Sequence, residues 1–539
     1  MDGLSQNLQP NCSRMLRRAL RAHEQGEFDK AERLYNALLQ YHPDNFDALH
    51  GLGRLHYRRG RLDTALALIQ AALKADLGRA DGFASLGLVF HCLTRFKEAL
   101  ASYEEGLRIA PDNTELLNRR GVALLELGRP REALENFDRL LALDPGHFDA
   151  LGNRGNTLIK LNRPADALAA YDKALKLAPE NAQLLTNRAV ALRRLDRPHE
   201  AVMSASSALV SKPDFAQARF VESVARLTLG DFGGWRGYEA RWLVGFLASQ
   251  RRNFTAPLWL GDESLDGKTI LLHAEQGYGD TIQFVRYAPL VAARGAKVVL
   301  EVQPELTRLL SAMPGVAAVI GRGAPLPRFD CHCPLLSLPL ACASEPATIP
   351  AGVSYIAAAD ADIALWSRRL PERRPLVGLA WSGERSHDND LNRSLRFETL
   401  LPLLDMTNVT FVSLQHDVRE EDARALLKQP DVLQLGREFQ NFSDTAAVLA
   451  HMDAVISADT AIAHLAGAMG KPLYLLLPFA ADFRWLRERH DSPWYPTAKL
   501  YRQPTFGDWD TVIEMLRQDL MRQDLMRTDH SESARKLSA

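Results

Sequence analysis

The chain has 539 residues, 46% of them apolar and 24% charged, with 65 basic against 66 acidic side chains. That length exceeds one ordinary domain, and that composition belongs to a folded, water-compatible protein. Charge is nearly balanced in both halves, which excludes a nucleic-acid surface as the organising feature. No early apolar run follows basic residues as in a signal peptide, and no segment is long and apolar enough to span a bilayer. A cytoplasmic location is expected, with peripheral membrane contact left open. Five scattered cysteines, Cys12, Cys92, Cys331, Cys333 and Cys342, are too few for a disulfide framework and are expected as thiols.

After a flexible start expected over 1–11, the chain repeats itself every 34 residues. Ala31, Ala65, Ala99, Ala133, Ala167 and Ala201 hold one register; Pro43, Pro111, Pro145, Pro179 and Pro213 hold another, with Leu77 as the exception. Gly53, Gly87, Gly121 and Gly155 mark a third, replaced by Ala189 in the sixth copy. The pattern resembles the tetratricopeptide repeat, two helices per unit with small residues where the helices cross. It predicts a solenoid over 12–245, with a worn seventh unit closed by Trp235, Tyr238 and Trp242. Such a stack implies a groove for a protein or peptide. Asn153 and Asn187 stand at one position of successive repeats, where a side-chain amide can grip an extended backbone. They resemble two rungs of the asparagine ladder of protein O-linked N-acetylglucosamine transferases, although the same amides can equally bond within the stack.

A Pro- and Gly-containing stretch over 246–267 is expected to be a linker. From Lys268 apolar strings alternate with helical segments, the pattern of parallel sheets with crossover helices. The first strand, 269–273, leads into a loop holding His273, Glu275, Gly277, Gly279 and Asp280. Ile282 stands where a dinucleotide fingerprint has its third glycine, so an NAD-type site is not expected. Asp280 with Gln283 also makes a capping box for a helix starting at Thr281. Cys331, His332, Cys333 and Cys342 lack a Cys-x-x-Cys pair, and no metal site is expected. The Pro-rich stretch 368–375 divides a first lobe, 268–370, from a second, 371–526. The polar loop 382–394 carries Arg393 and an Asp388-Asn389-Asp390 sequence that does not end an apolar strand, and Gln415 follows the strand 409–414. The tail 527–539 is expected to be disordered.

One stretch, 454–477, gathers the chemistry. A buried strand over 454–457 runs into Asp459 and Thr460, then a helix from Ala461, a Gly470-Lys471-Pro472 break and a second strand over 473–477. Polar residues thus collect at a strand's carboxyl end and a helix start, where free amides suit a phosphate, and His464 follows one turn on. Asp459 and Thr460 would equally serve as helix caps with His464 in the core. Asp459, Thr460, His464, Ala466, Ala468, Gly470, Lys471 and Pro472 resemble the signature of heptosyltransferase-like enzymes of glycosyltransferase family nine; Ala461 stands where that family has glycine.

The resemblance implies a GT-B fold of two Rossmann-like lobes after the α solenoid. It also implies inverting, metal-independent transfer from a nucleotide-sugar. Asp280 would be the general base, Gly277 and Gly279 would shape its loop, and His273 and Glu275 are reserve candidates. Asp459, Thr460, Ala461, His464, Arg393 and Gln415 would face the donor. The expected acceptor is a protein or peptide in the repeat groove. A saccharide or lipid precursor as acceptor, or a non-catalytic scaffold, are the alternatives.

Overall fold

The computed structural model describes residues 2–372, 375–387, 389–406 and 408–522, and two compact units divide the chain between Ala191 and Leu192. Among the described residues no helix is long and apolar enough to cross a membrane. The expected tail, Arg373 and Arg374 of the Pro-rich stretch 368–375, and Asp388 lie outside the described residues.

The first unit is a stack of helix pairs, Asp2–Glu24 with Phe28–Tyr41, Phe46–Arg58 with Leu62–Ala75, Ala80–Cys92 with Phe96–Ile109, and onward in the same rhythm. The first helix begins at Asp2, within the stretch expected to be loose. Ala31, Ala65, Ala99, Ala133 and Ala167 are wholly buried at the crossings. The glycine register has a packing cause. A Cβ at Gly121 would come within 2.6 Å of the Phe137 ring and one at Gly53 within 2.7 Å of Ile69, and Tyr103 and Tyr171 press on Gly87 and Gly155 in the same way. Each large side chain lies sixteen residues beyond its glycine; in the sixth copy both positions are small, Ala189 and Ala205. Asp76 Oδ1 accepts the Gly78 N–H at 2.8 Å across Leu77, and Asp144 Oδ1 accepts the Gly146 N–H at 3.1 Å across Pro145, so the turn closes in the same way with or without the proline.

The second unit holds two parallel sheets. The first has β1 (Thr269–His273), β2 (Lys297–Val302), β3 (Val316–Gly321) and β4 (Cys331–Pro334) in the order β3-β2-β1-β4. The second has β5 (Leu376–Ala380), β6 (Thr410–Ser413), β7 (Leu433–Gln434), β8 (Ala454–Ala458), β9 (Leu473–Leu477) and β10 (Ala498–Arg502) in the order β10-β9-β8-β5-β6-β7. β5, β8 and β9 are buried at every position, as continuous apolar strings should be in a sheet covered on both faces. Strand order reverses between β5 and β8, so their carboxyl ends form the crevice where such sheets receive ligands.

Three boundaries differ from expectation, each for a physical reason. The aromatic end of the repeats is core of the second unit: Trp235 meets Phe284 and Phe483 edge-on at 5.9 and 5.6 Å, and Phe232 stacks on Trp494. Residues 192–245 therefore fold with the α/β lobes. The expected linker supplies an edge to the first sheet: Leu258 bridges to His332 beside β4, the Trp259 N–H donates to the His332 carbonyl at 2.8 Å, and the Trp259 ring is buried. The chain crosses to the second lobe before its sheet begins. The Tyr355 and Ile356 amides donate to the Ala468 carbonyl at 2.9 and 3.2 Å, and Trp366 Nε1 donates to Asp444 Oδ1 at 3.2 Å.

These contacts predict that a fragment of residues 192–539 unfolds cooperatively, whereas a fragment of 246–539 does not. The shorter piece bares Phe284, Phe483 and Trp494, and losing one buried Trp costs about 3–5 kcal/mol. Thermal unfolding followed by circular dichroism distinguishes the two; equal, sharp transitions would contradict the assignment.

Candidate functional site

β8 is entirely buried and delivers Asp459 and Thr460 to the crevice, where the helix Ala461–Ala468 begins. Thr460 has an extended backbone at the N-cap, but its side chain does not cap; its hydroxyl lies 3.2 Å from Ser457 Oγ. The first turn therefore keeps amides free of a side-chain cap. His464, one turn on, is pinned from three sides. Its Nδ1 lies 2.9 Å from the Tyr495 hydroxyl, its ring stacks on Trp485 at 5.4 Å, and its Nε2 faces Asp459 Oδ1 at 3.6 Å. Burial alone would favour a neutral Asp459, but the hydrogen bond and charge of His464 and the charge of Arg393 outweigh it and hold the carboxyl well below the usual range. Thr460 and His464 are thus buried, while Asp459, Ala461 and Ile462 stay partly open.

The first lobe closes over this helix start. A Cβ at Gly279 would come within 2.7 Å of His464 Cδ2 and 3.6 Å of Ala461 Cα, so glycine there lets the two backbones approach. The Gly-x-Gly spacing, weak as a nucleotide motif, thus has a use. Asp280 follows, but the helix starts at Tyr278, not Thr281, and the expected capping box with Gln283 does not form. Asp280 instead reaches back from the first turn, its Oδ2 accepting the Gly277 N–H at 2.9 Å. Its other oxygen accepts from Arg484 Nη2, and Arg484 Nη1 donates to Asp482 Oδ1 at 2.7 Å. The Arg484 guanidinium is held against the rings of Phe483 and Phe284, at 4.7 and 5.6 Å. Burial opposes its charge, yet Asp482 and Asp280 outweigh that and raise its pKa.

Arg393 joins the group from the short helix Asp390–Arg393, its Nη1 donating to the Asp459 carbonyl at 3.2 Å with its guanidinium packed against Gly383. Asp390 does not act as part of a metal motif, because Arg419 and Ser394 engage it at 2.6 and 2.5 Å. His387, on the exposed loop before it, feels the same cluster: desolvation and Arg393 lower its pKa, while Asp459, Asp482 and Asp280 raise it.

Gln415 does not face the crevice as a donor ligand. Its Oε1 accepts the Trp381 and Ser382 amides at 3.1 Å each, and its Nε2 donates to the Ser382 and Asp417 carbonyls at 2.9 and 3.1 Å. All four hydrogen-bonding positions of the amide are filled, which fixes the loop after β5. Glu275 is likewise a tie: both its oxygens accept from Arg241, at 3.0 and 3.1 Å, and Oε1 also accepts the Leu336 amide. His273 lies under Phe254 and beside His332, 3.2 Å away, and burial, then His332 and Arg252, push its pKa down to about 3. Neither is placed to take a proton from a ligand. Asn153 Nδ2 donates to Asn118 Oδ1 at 3.0 Å and Asn187 Nδ2 to Asn156 Oδ1 at 2.9 Å, so both ladder amides bond within the stack. Arg484, Tyr495 and His387 went unread in the sequence. Arg484 had the one available signal, its place between Asp482 and Trp485, since its partner Asp280 lies 204 residues away.

Two of these buried groups have measurable effects on stability. Glu275→Ala removes one of the two carboxylates paired with the buried Arg241, leaving Glu239, and is expected to lower stability by about 1.5–3 kcal/mol in denaturant titration. For His273, the unfolded imidazole binds a proton between about pH 6.5 and pH 3 that the folded one refuses. Stability therefore falls as pH falls through that window, by up to about 1.4 kcal/mol per unit. Unfolding free energies of His273→Gln are expected to lack that part of the slope.

Comparisons with known proteins find repeats in the first part of the chain and a transferase profile in the second. The tetratricopeptide repeat profile matches residues 16–81, 85–148, 118–182 and 153–216, and the profile of glycosyltransferase family 9 (heptosyltransferase) matches 368–476. The second match contains Arg393 and the whole of Asp459 to His464; Asp280 and Arg484 lie outside it. Protein FlbA of Caulobacter vibrioides is 28% identical over 323 residues, 55% of this chain and 53% of that protein, so the chain spans about half the length of that relative. Among solved structures, YrrB, a TPR protein with an unusual peptide-binding site, is 22% identical with a TM-score of 0.31, covering 34% of this chain and 95% of its own. TTC0263, a thermophilic TPR protein of Thermus thermophilus, is 24% identical with a TM-score of 0.29, covering 34% and 98%.

Proposed function

We propose that this chain, which carries tetratricopeptide repeats and a glycosyltransferase family 9 domain, moves a hexosyl- or heptosyl-type sugar from a nucleotide donor to an acceptor hydroxyl. The observation that carries the reading is the meeting of the helix start at Asp459, Thr460 and Ala461 with the Gly279-Asp280 loop of the other lobe, at the crevice between β5 and β8. Free amides of that first turn and the guanidinium of Arg393 would receive the diphosphate, with His464 held in place by Tyr495 and Trp485.

In this reading the acceptor oxygen forms its bond to the anomeric carbon from the face opposite the diphosphate. The carbon–oxygen bond to the diphosphate breaks with its electron pair, and the hydroxyl proton passes to Asp280. Configuration inverts, and the cations and amides stabilise the leaving charge without calling for a metal ion. The acceptor would be a protein or peptide presented by the repeats, in the cytoplasm; a saccharide or lipid precursor is the alternative. A non-catalytic scaffold is a separate reading, favoured by the burial of Thr460 and His464.

One of a panel of UDP-, GDP- and ADP-sugars is expected to raise the unfolding temperature, since ligand at about 100 times its Kd adds about 2.7 kcal/mol. Asp280→Asn should retain donor binding and lose transfer by about 100-fold or more. Residues 192–539 alone should glycosylate a small acceptor but not a protein. Absence of both donor binding and donor turnover would favour the scaffold.

A further inference from the structure

Arg484 is the cation that joins the two lobes at the crevice, through its ion pair with Asp280. Its side chain is more than nine-tenths buried, sandwiched against Phe284 and Phe483, and it belongs to the second lobe while Asp280 belongs to the first. Two of its five N–H donors serve Asp482 and Asp280, and its buried Nε has no hydrogen-bond partner. Asp280 in turn has both oxygens engaged, one by Arg484 and one by the Gly277 amide. The oxygen that would meet an acceptor hydroxyl is thus already occupied by Arg484.

We propose that Arg484 is a diphosphate ligand that also holds Asp280 inactive, so that the arriving donor takes the guanidinium and thereby releases Asp280 to accept the acceptor's proton. This rests on the reading of the site as a nucleotide-sugar transferase. A diphosphate offers several anionic oxygens to a planar fork of donors and outcompetes one carboxylate oxygen, particularly where Nε has none of its own. The aromatic sandwich keeps the guanidinium near its position during the exchange, so the change is one of partners. No new bond is made in the exchange itself; the proton moves only in the transfer step, from acceptor hydroxyl to the freed Asp280 Oδ1. The order of binding follows: donor first, acceptor second. A bound acceptor cannot be deprotonated while Arg484 remains on Asp280, and the base becomes competent only when the electrophile is present.

The consequence is unusual enough to test, because removing the base should strengthen binding of the leaving group. Asp280→Asn keeps the oxygen that caps Gly277 and removes the charge that competes for Arg484. Calorimetric titration with inorganic pyrophosphate, and with UDP, GDP and ADP, is expected to give about five- to tenfold tighter binding for Asp280→Asn than for the unaltered chain. In an Arg484→Lys background, which keeps the charge but loses the fork, the same Asp280→Asn change is expected to have less than a twofold effect, with diphosphate affinity weaker overall. Simple removal of a like charge from the neighbourhood of the diphosphate would tighten binding equally in both backgrounds, so a gain on Asp280→Asn that persists undiminished with Arg484→Lys overturns the exchange. If the unaltered chain binds a nucleoside diphosphate and Asp280→Asn binds it no tighter, the exchange is overturned while the transferase reading stands. If neither protein binds pyrophosphate or any of the three nucleotides, both are overturned.

Discussion

The ion pair that joins Asp280 to Arg484 across the two lobes is the constraint around which the α/β half is arranged. A largely buried pair of this kind adds little net stability, because the Coulombic attraction is offset by desolvation of both charges. Its effect is on position. The packing around it supplies the cohesion: Gly279 lies against His464, Phe284 and Phe483 flank the guanidinium, and Trp235 touches both rings. Arg286 adds a second tie, donating to the Trp494 carbonyl at 2.6 Å and to the Tyr355 hydroxyl at 2.8 Å. Two lobes that expose apolar faces separately are thereby held with one register at the crevice.

The same use of small residues appears in both units. In the repeats, a glycine on one helix admits a ring or branched chain from the next, and the side chain that fills the space decides how close the helices come. At Gly279 the missing Cβ admits an imidazole, and at Gly383 it admits the Arg393 guanidinium. The last helices of the repeat region serve two purposes. They continue the 34-residue rhythm in sequence, yet Phe232, Trp235 and Arg241 fold as core and anchors of the lobes. Tetratricopeptide periodicity marks where helices form, and aromatic content marks where they stop being independent.

Elements rich in local signal are legible in the residues themselves. β8, the helix after it and β9 were placed within one residue, because an apolar string, a polar turn and a Gly-Lys-Pro break each act over a few residues. The edge role of 246–267 was not legible, since Trp259 joins β4 through backbone hydrogen bonds that leave no side-chain pattern. Gln415 and Glu275 were misread for a related reason. A polar residue at a strand end has the same sequence signature whether it faces a ligand or, as here, the Ser382 amide and the Arg241 guanidinium.

By itself the amino-acid sequence determined the helical repeat, the two parallel sheets and the strand-to-helix junction from Asp459 to His464, because hydrophobic periodicity and turn signals are short-range properties of a chain. The tertiary structure alone decided which of those residues are engaged and by what. Asp280 meets a cation 204 positions away, His464 lies under Gly279 and Trp485, and the ladder amides turn inward to Asn118 and Asn156. Such partnerships depend on how whole elements pack, and no local pattern of residues encodes them.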